Sequence, residues 1–299
     1  MINKLKWRLL LLKEIILNKK FKFLDIFYFF LPQNALKRKK IKEELESFSG
    51  EKIITKKESD LYTFNFCGFA IRTPPSTNER VFEAMLDFGV PVISENKGEL
   101  SYLSYLLEGP YEFGKCLLES GDIVMDVGSN LGLFSMFASS RVGGGGAIYA
   151  FEPVSKTKEF LERNVKDNDI KNCVIVDKAL GDTNKEIDIF INDNNLGGSS
   201  IGKKEKSNRM EKIDQITLDD FVAENNIEKV DFIKADIEGA ERNMLVGAEK
   251  TIKRFKPKIA VCTYHLPDDP EVLENILKDF VPEYNIVHKY KKMYAWIEK

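Results

Sequence analysis

The sequence predicts an α/β protein whose main domain contains a doubly wound, mostly parallel β-sheet. Between residues 121 and 299, short apolar segments alternate with helical patterns, which is typical of a parallel sheet covered by helices on both faces. The chain ends with two alternating segments separated by Lys291 and Lys292, and these predict a closing antiparallel hairpin. The expected order is therefore five strand–helix units followed by the hairpin.

The first two units of this domain are marked by apolar runs and small residues. An apolar run predicts a short buried strand at residues 123–127, and the small side chains that follow predict a helix over 131–140. Four consecutive glycines at 143–146 predict a flexible turn. A second apolar run predicts a strand at 147–151, and helical periodicity predicts a helix over 155–168.

The later units follow the same pattern and have clearer boundaries. Two aspartates lie in the first turn of the helix predicted at 217–224, where carboxylates suit the helix dipole. Pro257 ends the helix predicted at 240–255. Asn164 and Asn168 are expected to be solvated helix positions. The remaining predicted elements are strands at 174–176, 230–235 and 259–264, an extra strand at 186–191, a helix over 270–280, and hairpin segments at 284–290 and 293–297.

Length and composition predict a folded protein with three regions. We expect a basic, helical segment at 1–60, an accessory strand and helix region at 61–120, and the main domain at 121–299. The 21 Phe and 10 Tyr residues argue against an intrinsically disordered chain, and a net charge of −2 argues against a protein that coats nucleic acid. The four cysteines form no CxxC pair, which favours a reducing cytoplasm over a secreted, disulfide-stapled domain.

The N-terminal 40 residues combine basic charge with apolar runs. They contain eleven Lys and Arg residues against two acidic ones, and charged residues interrupt the apolar runs. No uninterrupted stretch approaches the ~20 apolar residues that cross a bilayer, and no signal-peptide cleavage pattern follows. Two interpretations stay open, a segment lying on the inner face of the membrane and a cationic helix packed on the domain.

A short glycine-containing loop lies between the first predicted strand and helix of the main domain. It reads Asp-Val-Gly-Ser-Asn-Leu-Gly over residues 126–132, and Asn130 stands where a dinucleotide-binding loop has its second glycine. The glycine after the strand allows a close approach of a ligand to the backbone. The free N–H groups at the helix start favour a carboxylate, and the acidic residue at the strand end is placed to attract an amino group. The residues expected to bind are Asp126, Gly128, Ser129, Asn130 and Gly132.

A second acidic element follows the next predicted strand. Glu152 and Pro153 come directly after this strand, 26 residues beyond Asp126. A carboxylate at this position can accept hydrogen bonds from both hydroxyl groups of a ribose. Neither element is specific alone, but the two in this order predict a ligand that contains adenosine and an amino acid.

These residues, with several later stretches, resemble the FkbM-type family of class I S-adenosylmethionine (SAM)-dependent methyltransferases. The resemblance implies SAM as cofactor, a Rossmann-like sheet of seven strands with the last one antiparallel, and a hydroxyl acceptor on a sugar or other small natural product. It also implies that Asp177 and Ala179 lie near the adenine ring. The matching stretches are residues 126–132, 149–153, 178–182, 197–200, 218–221, 236–241 and 264–269.

Three side chains are candidates for the chemical step. Asp236 and Glu238 come just after the fourth predicted strand and His265 just after the fifth, at the sheet edge where ligands of open α/β sheets bind. We expect His265 to be the base for the acceptor hydroxyl and Asp236 to lie near the methionine part of SAM or the acceptor. A loop histidine without a role, helix-capping carboxylates, and a less favoured Mg²⁺ site formed by the three side chains remain alternatives.

Rival functions on the same fold are a methyltransferase acting on protein or nucleic acid and a non-catalytic binding or scaffold protein. The net acidic main domain argues against a nucleic-acid partner. The spacing of the 126–132 loop argues against a nicotinamide oxidoreductase. The favoured prediction is an O-methyltransferase with a glycan or small-molecule acceptor, whereas the individual acceptor and the oligomeric state are left open.

Overall fold

A computed structural model describes residues 55–58, 61–66, 68–73, 110–191, 209–289 and 291–298. The basic segment at 1–40 lies outside these residues, so its contact with a membrane stays a prediction. Within the described ranges, no helix combines the length and the apolar character needed to cross a membrane.

The elements follow one another along the chain in three groups. A small antiparallel sheet comes first, formed by β1 (Thr55–Glu58), β2 (Leu61–Phe66) and β3 (Phe69–Thr73). The first half of the main domain contains β4 (Ile123–Val127), α1 (Leu133–Val142), β5 (Ala147–Phe151), α2 (Ser155–Asp167), β6 (Cys173–Val176), β7 (Ala179–Leu180) and β8 (Lys185–Ile191). The second half contains β9 (Arg209–Ile216), α3 (Leu218–Glu224), β10 (Phe232–Ala235), α4 (Glu241–Val246), α5 (Glu249–Phe255), β11 (Lys258–Cys262), α6 (Asp269–Phe280), β12 (Asn285–Lys289) and β13 (Lys292–Trp296).

The central sheet has seven strands in the order β12-β13-β11-β10-β4-β5-β6. The strands from β11 to β6 pair in parallel, whereas β13 is antiparallel to both β11 and β12. This arrangement confirms the predicted doubly wound α/β sheet with a closing hairpin. The strand order reverses between β4 and β10, and the crevice beyond the carboxyl ends of strands at such a point is where these folds bind ligands.

Helices cover both faces of this sheet because side chains alternate along each strand. Val124 and Ile148 point to one face, where they belong to a buried cluster with Phe134 of α1. Met125 and Val127 point to the other face and join a cluster with residues from α3, α4, α5 and α6. The alternation fixes which strand-end residues reach the crevice and which enter the core.

One predicted helix, 240–255, is two helices in the structure, α4 and α5. The helix is interrupted at Gly247, where an added Cβ atom would lie 1.9 Å from the carbonyl oxygen of Gly181. This close packing of two backbone segments interrupts the helix. The strand β9 was not predicted at all, although it pairs with β7 and β8 in a separate three-stranded sheet.

The expectation that Asn164 and Asn168 are solvated is wrong for Asn164 and incomplete for Asn168. Asn164 is fully buried, and its side-chain amide accepts a hydrogen bond from Arg72 N and donates to Arg72 O. Asn168 binds the backbone of Ala70 in the same two-sided way. The two amides therefore take the place of a neighbouring strand along β3. Asn164 also donates to the carbonyl of Leu131 at 2.8 Å, which ties β3 to the 126–132 loop.

Candidate functional site

The 126–132 loop packs directly against the backbone that follows β10. Gly128 has a φ of 77°, and an added Cβ atom would lie 2.1 Å from the carbonyl oxygen of Asp236. Gly132 has a φ of 84°, and its Cβ atom would lie 2.5 Å from a methyl carbon of Leu161. Both positions combine a left-handed backbone with contacts that exclude a side chain. These two glycines are therefore required by the shape of the loop.

Asp126 occupies a different position from the one expected. Its carboxylate is fully buried, lies 3.0 Å from Lys234 Nζ, and accepts a 2.5 Å hydrogen bond from Ser135 Oγ. Lys234 lies opposite Asp126 in the β4–β10 register and also donates to the carbonyl of Gly128 at 2.7 Å. Through Lys234, the Asp126 side chain holds the loop in place, and its attraction of a ligand amino group stays a prediction. Ser129 Oγ adds a 2.7 Å bond to the Asp126 carbonyl.

Glu152 joins the end of β5 to the same loop. Its carboxylate accepts hydrogen bonds from the backbone N–H groups of Asn130 and Val154, each at 3.0 Å. Burial raises the pKa of Glu152 to about 7, because the loss of hydration outweighs the two N–H groups that favour the charged form. Pro153 follows at a half-buried position. The structure thus brings Glu152, which follows β5, beside Asn130 of the 126–132 loop.

The two residues expected near an adenine ring follow β6, which pairs with β5 in the central sheet. Asp177, just after β6, is exposed and forms an ion pair with Lys158 at 3.2 Å. Ala179 begins β7 and packs against the small apolar cluster that contains Val154 and Ile189. Their role in holding adenine stays a prediction.

Asp236, Glu238 and His265 come together at the carboxyl ends of β10 and β11. His265 Nε2 lies 3.7 Å from Asp236 Oδ1 and 3.9 Å from Glu238 Oε2. Asp236 also accepts hydrogen bonds from the hydroxyl groups of Tyr111 at 2.8 Å and Tyr264 at 3.3 Å. We call this edge of the sheet, at the carboxyl ends of β10 and β11, the rim. The rim therefore carries three acidic or imidazole side chains and two phenol rings.

Buried lysines set the charge of this cluster. Burial alone would raise the pKa of Asp236, but the ammonium groups of Lys234 and Lys292 hold it below its usual range. Lys292 is itself buried, and its Nζ lies 4.3 Å from the centre of the Tyr111 ring. Burial opposes the charged form of His265, yet the carboxylate of Glu241, with smaller contributions from the two other acids, raises its pKa.

Glu241 was missed by the sequence reasoning. It is fully buried at the start of α4, where Oε1 accepts from Ile237 N at 2.8 Å and Oε2 from Gly239 N at 3.0 Å. Oε1 also lies 2.9 Å from His265 Nδ1. The only signal in the sequence was a third acidic residue, three positions after Glu238 and beyond a glycine.

Metal binding at this cluster was the less favoured alternative. Among the described residues, the donor atoms of Asp236, Glu241 and His265 lie within 4.8 Å of one another, which meets the distance requirement for an ion. Both oxygens of Glu241 already accept backbone hydrogen bonds, and one faces the histidine. The geometry therefore resembles a carboxylate–histidine pair, and we derive no step through a metal.

Comparisons with known proteins find similar chains. The curated relative Methyltransferase 1 of Beauveria bassiana is 25% identical over 145 residues, which cover 42% of this chain and 58% of that protein. Hexuronic acid methyltransferase AglP of Haloferax volcanii is 23% identical over 187 residues, covering 62% of this chain and 71% of that protein. The crystal structure of Methyltransferase FkbM from Methylobacillus flagellatus is 21% identical with a TM-score of 0.49, covering 75% of this chain and 56% of that chain.

The match that shows the family spans most of the main domain. The chain spans less than three-fifths of the length of Methyltransferase 1, so the activity of that whole protein is not assigned to this chain. The family model described as the methyltransferase FkbM domain, in contrast, matches residues 126–297, from the buried aspartate of β4 to the end of the closing hairpin. Because this match covers more than half of the chain, the protein belongs to the family of methyltransferase FkbM domains, as its motifs indicated.

Proposed function

We propose that the protein transfers a methyl group from SAM to a hydroxyl group of a sugar, a glycan or another small natural product. One observation carries the proposal. The backbone of Asp236 packs against Gly128 of the loop, while its carboxylate lies 3.7 Å from His265 Nε2. A single residue thus joins the predicted donor loop to the predicted base, so a methyl donor and an acceptor would meet at this rim.

The residues around the loop fit SAM in shape and charge. Gly128 and Gly132 let the loop pack closely against the Asp236 backbone and the Leu161 side chain, and the N–H groups at the start of α1 suit a carboxylate. Glu152 offers carboxylate oxygens for ribose hydroxyls beside Asn130. When bound, SAM supplies a methyl carbon activated by a positively charged sulfur. The protein's task is then to align an acceptor and accept its proton.

His265 is the residue we assign to the proton. A sugar hydroxyl is a weak nucleophile, and a positioned base accelerates such reactions by ~10²–10⁴-fold. As the acceptor oxygen bonds to the methyl carbon, the carbon–sulfur electron pair stays on sulfur and the hydroxyl proton passes to His265 Nε2. Asp236 and Glu238, on the same side of the ring, are placed to orient the hydroxyl and stabilise the imidazolium.

An acidic sugar is the first acceptor to test. The relative AglP is named as a hexuronic acid methyltransferase, and this chain matches 71% of its length. Lysine ammonium groups also lie at the proposed acceptor rim, with Lys291 Nζ 4.9 Å from the Tyr264 ring centre and Lys292 beside Tyr111. Lys291 is partly exposed, and its ammonium group would attract the carboxylate of such a sugar.

Two measurements test the proposal. Isothermal titration calorimetry should detect binding of SAM and its product S-adenosylhomocysteine (SAH) but not of NADH, and a protein that binds NADH alone would contradict it. Methyl transfer from radiolabelled SAM is then measured on p-nitrophenyl β-D-glucuronide, with the neutral glucoside as matched control, and on cell glycan and lipid fractions. SAM binding without labelling of any acceptor would favour the scaffold interpretation. Loss of activity in EDTA, restored by Mg²⁺, would favour the metal alternative over a histidine base.

A further inference from the structure

Glu241 is held in place by the backbone of the turn that precedes it. It is fully buried, and each of its two carboxylate oxygens accepts a backbone hydrogen bond. The donors belong to the turn between β10 and α4, where Glu238 and Gly239 adopt φ values of 55° and 106°. This turn directs the N–H groups of Ile237 and Gly239 at the carboxylate, so the carboxylate cannot rotate without breaking a hydrogen bond.

The fixed carboxylate faces one nitrogen of His265. Glu241 Oε1 lies 2.9 Å from Nδ1, and the His265 side chain is 3% exposed. The contact is out of line with the ring N–H and is not a linear hydrogen bond. Such contacts commonly straighten when a site closes on its substrate. An ionised carboxylate only accepts hydrogen bonds, so it favours the form of neutral imidazole that carries its proton on Nδ1.

The other ring nitrogen is buried without a hydrogen-bond partner among the described residues. Nε2 lies toward Asp236 and Glu238 at 3.7 Å and 3.9 Å, which is too far for a direct hydrogen bond. If the proton is on Nδ1, Nε2 presents a lone pair to the side where the rim carries Asp236 and Tyr264. A buried, unpartnered lone pair is costly unless a ligand group completes it.

Among the residues that the structure describes, charged groups face the ring from several elements. Asp236 and Glu238 follow β10, and Glu241 begins α4. Lys234 and Lys292 lie beyond Asp236, where they act on its carboxylate. The other ions nearby pair with one another or stack on rings: Arg242 with Asp268 and Asp269, and Lys291 over Tyr264.

We propose that Glu241 is the positioning residue of a Glu241–His265 pair. It holds the ring with the proton on Nδ1 and leaves Nε2 free to take the proton of the acceptor hydroxyl. The proposal rests on the proposed function for the destination of that proton, but the state of the ring is a property of the protein alone. After transfer, Glu241 stabilises the imidazolium until its proton passes to water.

The first test reads the histidine directly and needs no acceptor. The chain has two histidines, His265 and His288, so ¹⁵N-labelled imidazole spectra are simple, and a His288→Asn variant assigns them. His288 is a suitable control because it lies on β12 and contacts Glu274, away from the cluster. At a pH where the ring is neutral, His265 should carry its proton on Nδ1. A proton on Nε2 would overturn the proposal whatever the variants do.

The second test separates positioning from folding. Glu241→Gln keeps the shape of the side chain but replaces one carboxylate oxygen by an NH₂ group, which donates hydrogen bonds. The change should move the His265 proton toward Nε2 and lower the pKa of His265. With p-nitrophenyl β-D-glucuronide, or whichever acceptor is labelled in the fractions, kcat should fall by ~10²-fold or more, while KM and SAH affinity change less than about threefold. The acidic limb of the pH profile should shift to lower pH, and Glu241→Asp should recover part of kcat.

A matched control is Glu249→Gln, at the first position of the neighbouring helix α5. Glu249 is partly exposed and pairs with Lys253, so this change should leave kcat, the pH profile and both histidine signals as in the wild type. Wild-type kcat and pH profile in Glu241→Gln would overturn the pairing while leaving methyl transfer intact. If no acceptor is ever labelled, the proposed function fails, yet the ¹⁵N spectra still decide the state of His265.

Discussion

Replacing Gly128 by alanine is the sharpest test of the loop that we propose to hold SAM. A Cβ atom at this position would lie 2.1 Å from the carbonyl oxygen of Asp236 and 2.9 Å from a methyl carbon of Ile237. The first contact is with backbone, so no side-chain rotation relieves it. A left-handed φ of 77° adds about 1–2 kcal/mol for any residue with a Cβ atom. The loop must therefore move away from the β10 end.

The expected result is a loss of about 2–4 kcal/mol in the free energy of unfolding, measured by urea denaturation. The Kd for SAH should rise at least tenfold, equivalent to about 1.4 kcal/mol, by calorimetry on the folded variant. The matched control is Gly144→Ala, since none of the described residues lies within 4 Å of the added Cβ atom and the backbone is not left-handed. It should bind SAH as the wild type does. A Gly128→Ala variant with wild-type SAH affinity would refute the loop assignment.

Three further predictions follow from the described contacts. Burial raises the pKa of Glu152 to about 7 from 4.5, so its ionisation costs the folded state about 3 kcal/mol, and the free energy of unfolding of the wild type should fall between about pH 4.5 and pH 7. Glu152→Gln should lack this decline. Urea titrations at several pH values would contradict the prediction if the free energy of unfolding changed with pH in the same way in both proteins. Asn164→Ala should lower the free energy of unfolding by about 2–4 kcal/mol, because it leaves backbone groups of Arg72 and Leu131 unpaired. As a control, replacing the exposed Glu162 on the same helix by alanine should change the free energy of unfolding by no more than about 0.5 kcal/mol. His265→Asn should reduce methyl transfer by ~10²–10⁴-fold with SAH affinity retained, and equal activity in His265→Asn and His288→Asn would exclude the histidine base.

The fold could be predicted because its signals are local. The apolar runs at 123–127 and 147–151 match β4 and β5, and the closing hairpin followed from two alternating segments. The break between α4 and α5 could not be predicted, since Gly247 interrupts the helix through contact with Gly181, more than 60 residues earlier. The hydrogen bonds of Asn164 and Asn168 could not be predicted for the same reason, because their partners lie on β3, far away in the sequence.

The site was predictable as a set of strand ends, but its internal pairing was not. The positions of Glu152, Asp236 and His265 after the second, fourth and fifth predicted parallel strands predicted that they share one edge of the sheet. The pairing of Asp126 with Lys234 depends on the register of β4 with β10, which no single strand reveals. Glu241 depends on a turn with two left-handed residues, a feature that its sequence context alone does not show.

The central claim is that one rim of the sheet holds both the methyl donor and the base. A crystal structure of the protein with SAH tests it most directly. We expect ribose hydroxyls within about 3 Å of the Glu152 carboxylate, the amino-acid end on the 128–132 backbone, and the sulfur facing the side of the crevice where His265 lies. SAH bound elsewhere, or a ribose turned away from Glu152, would contradict it.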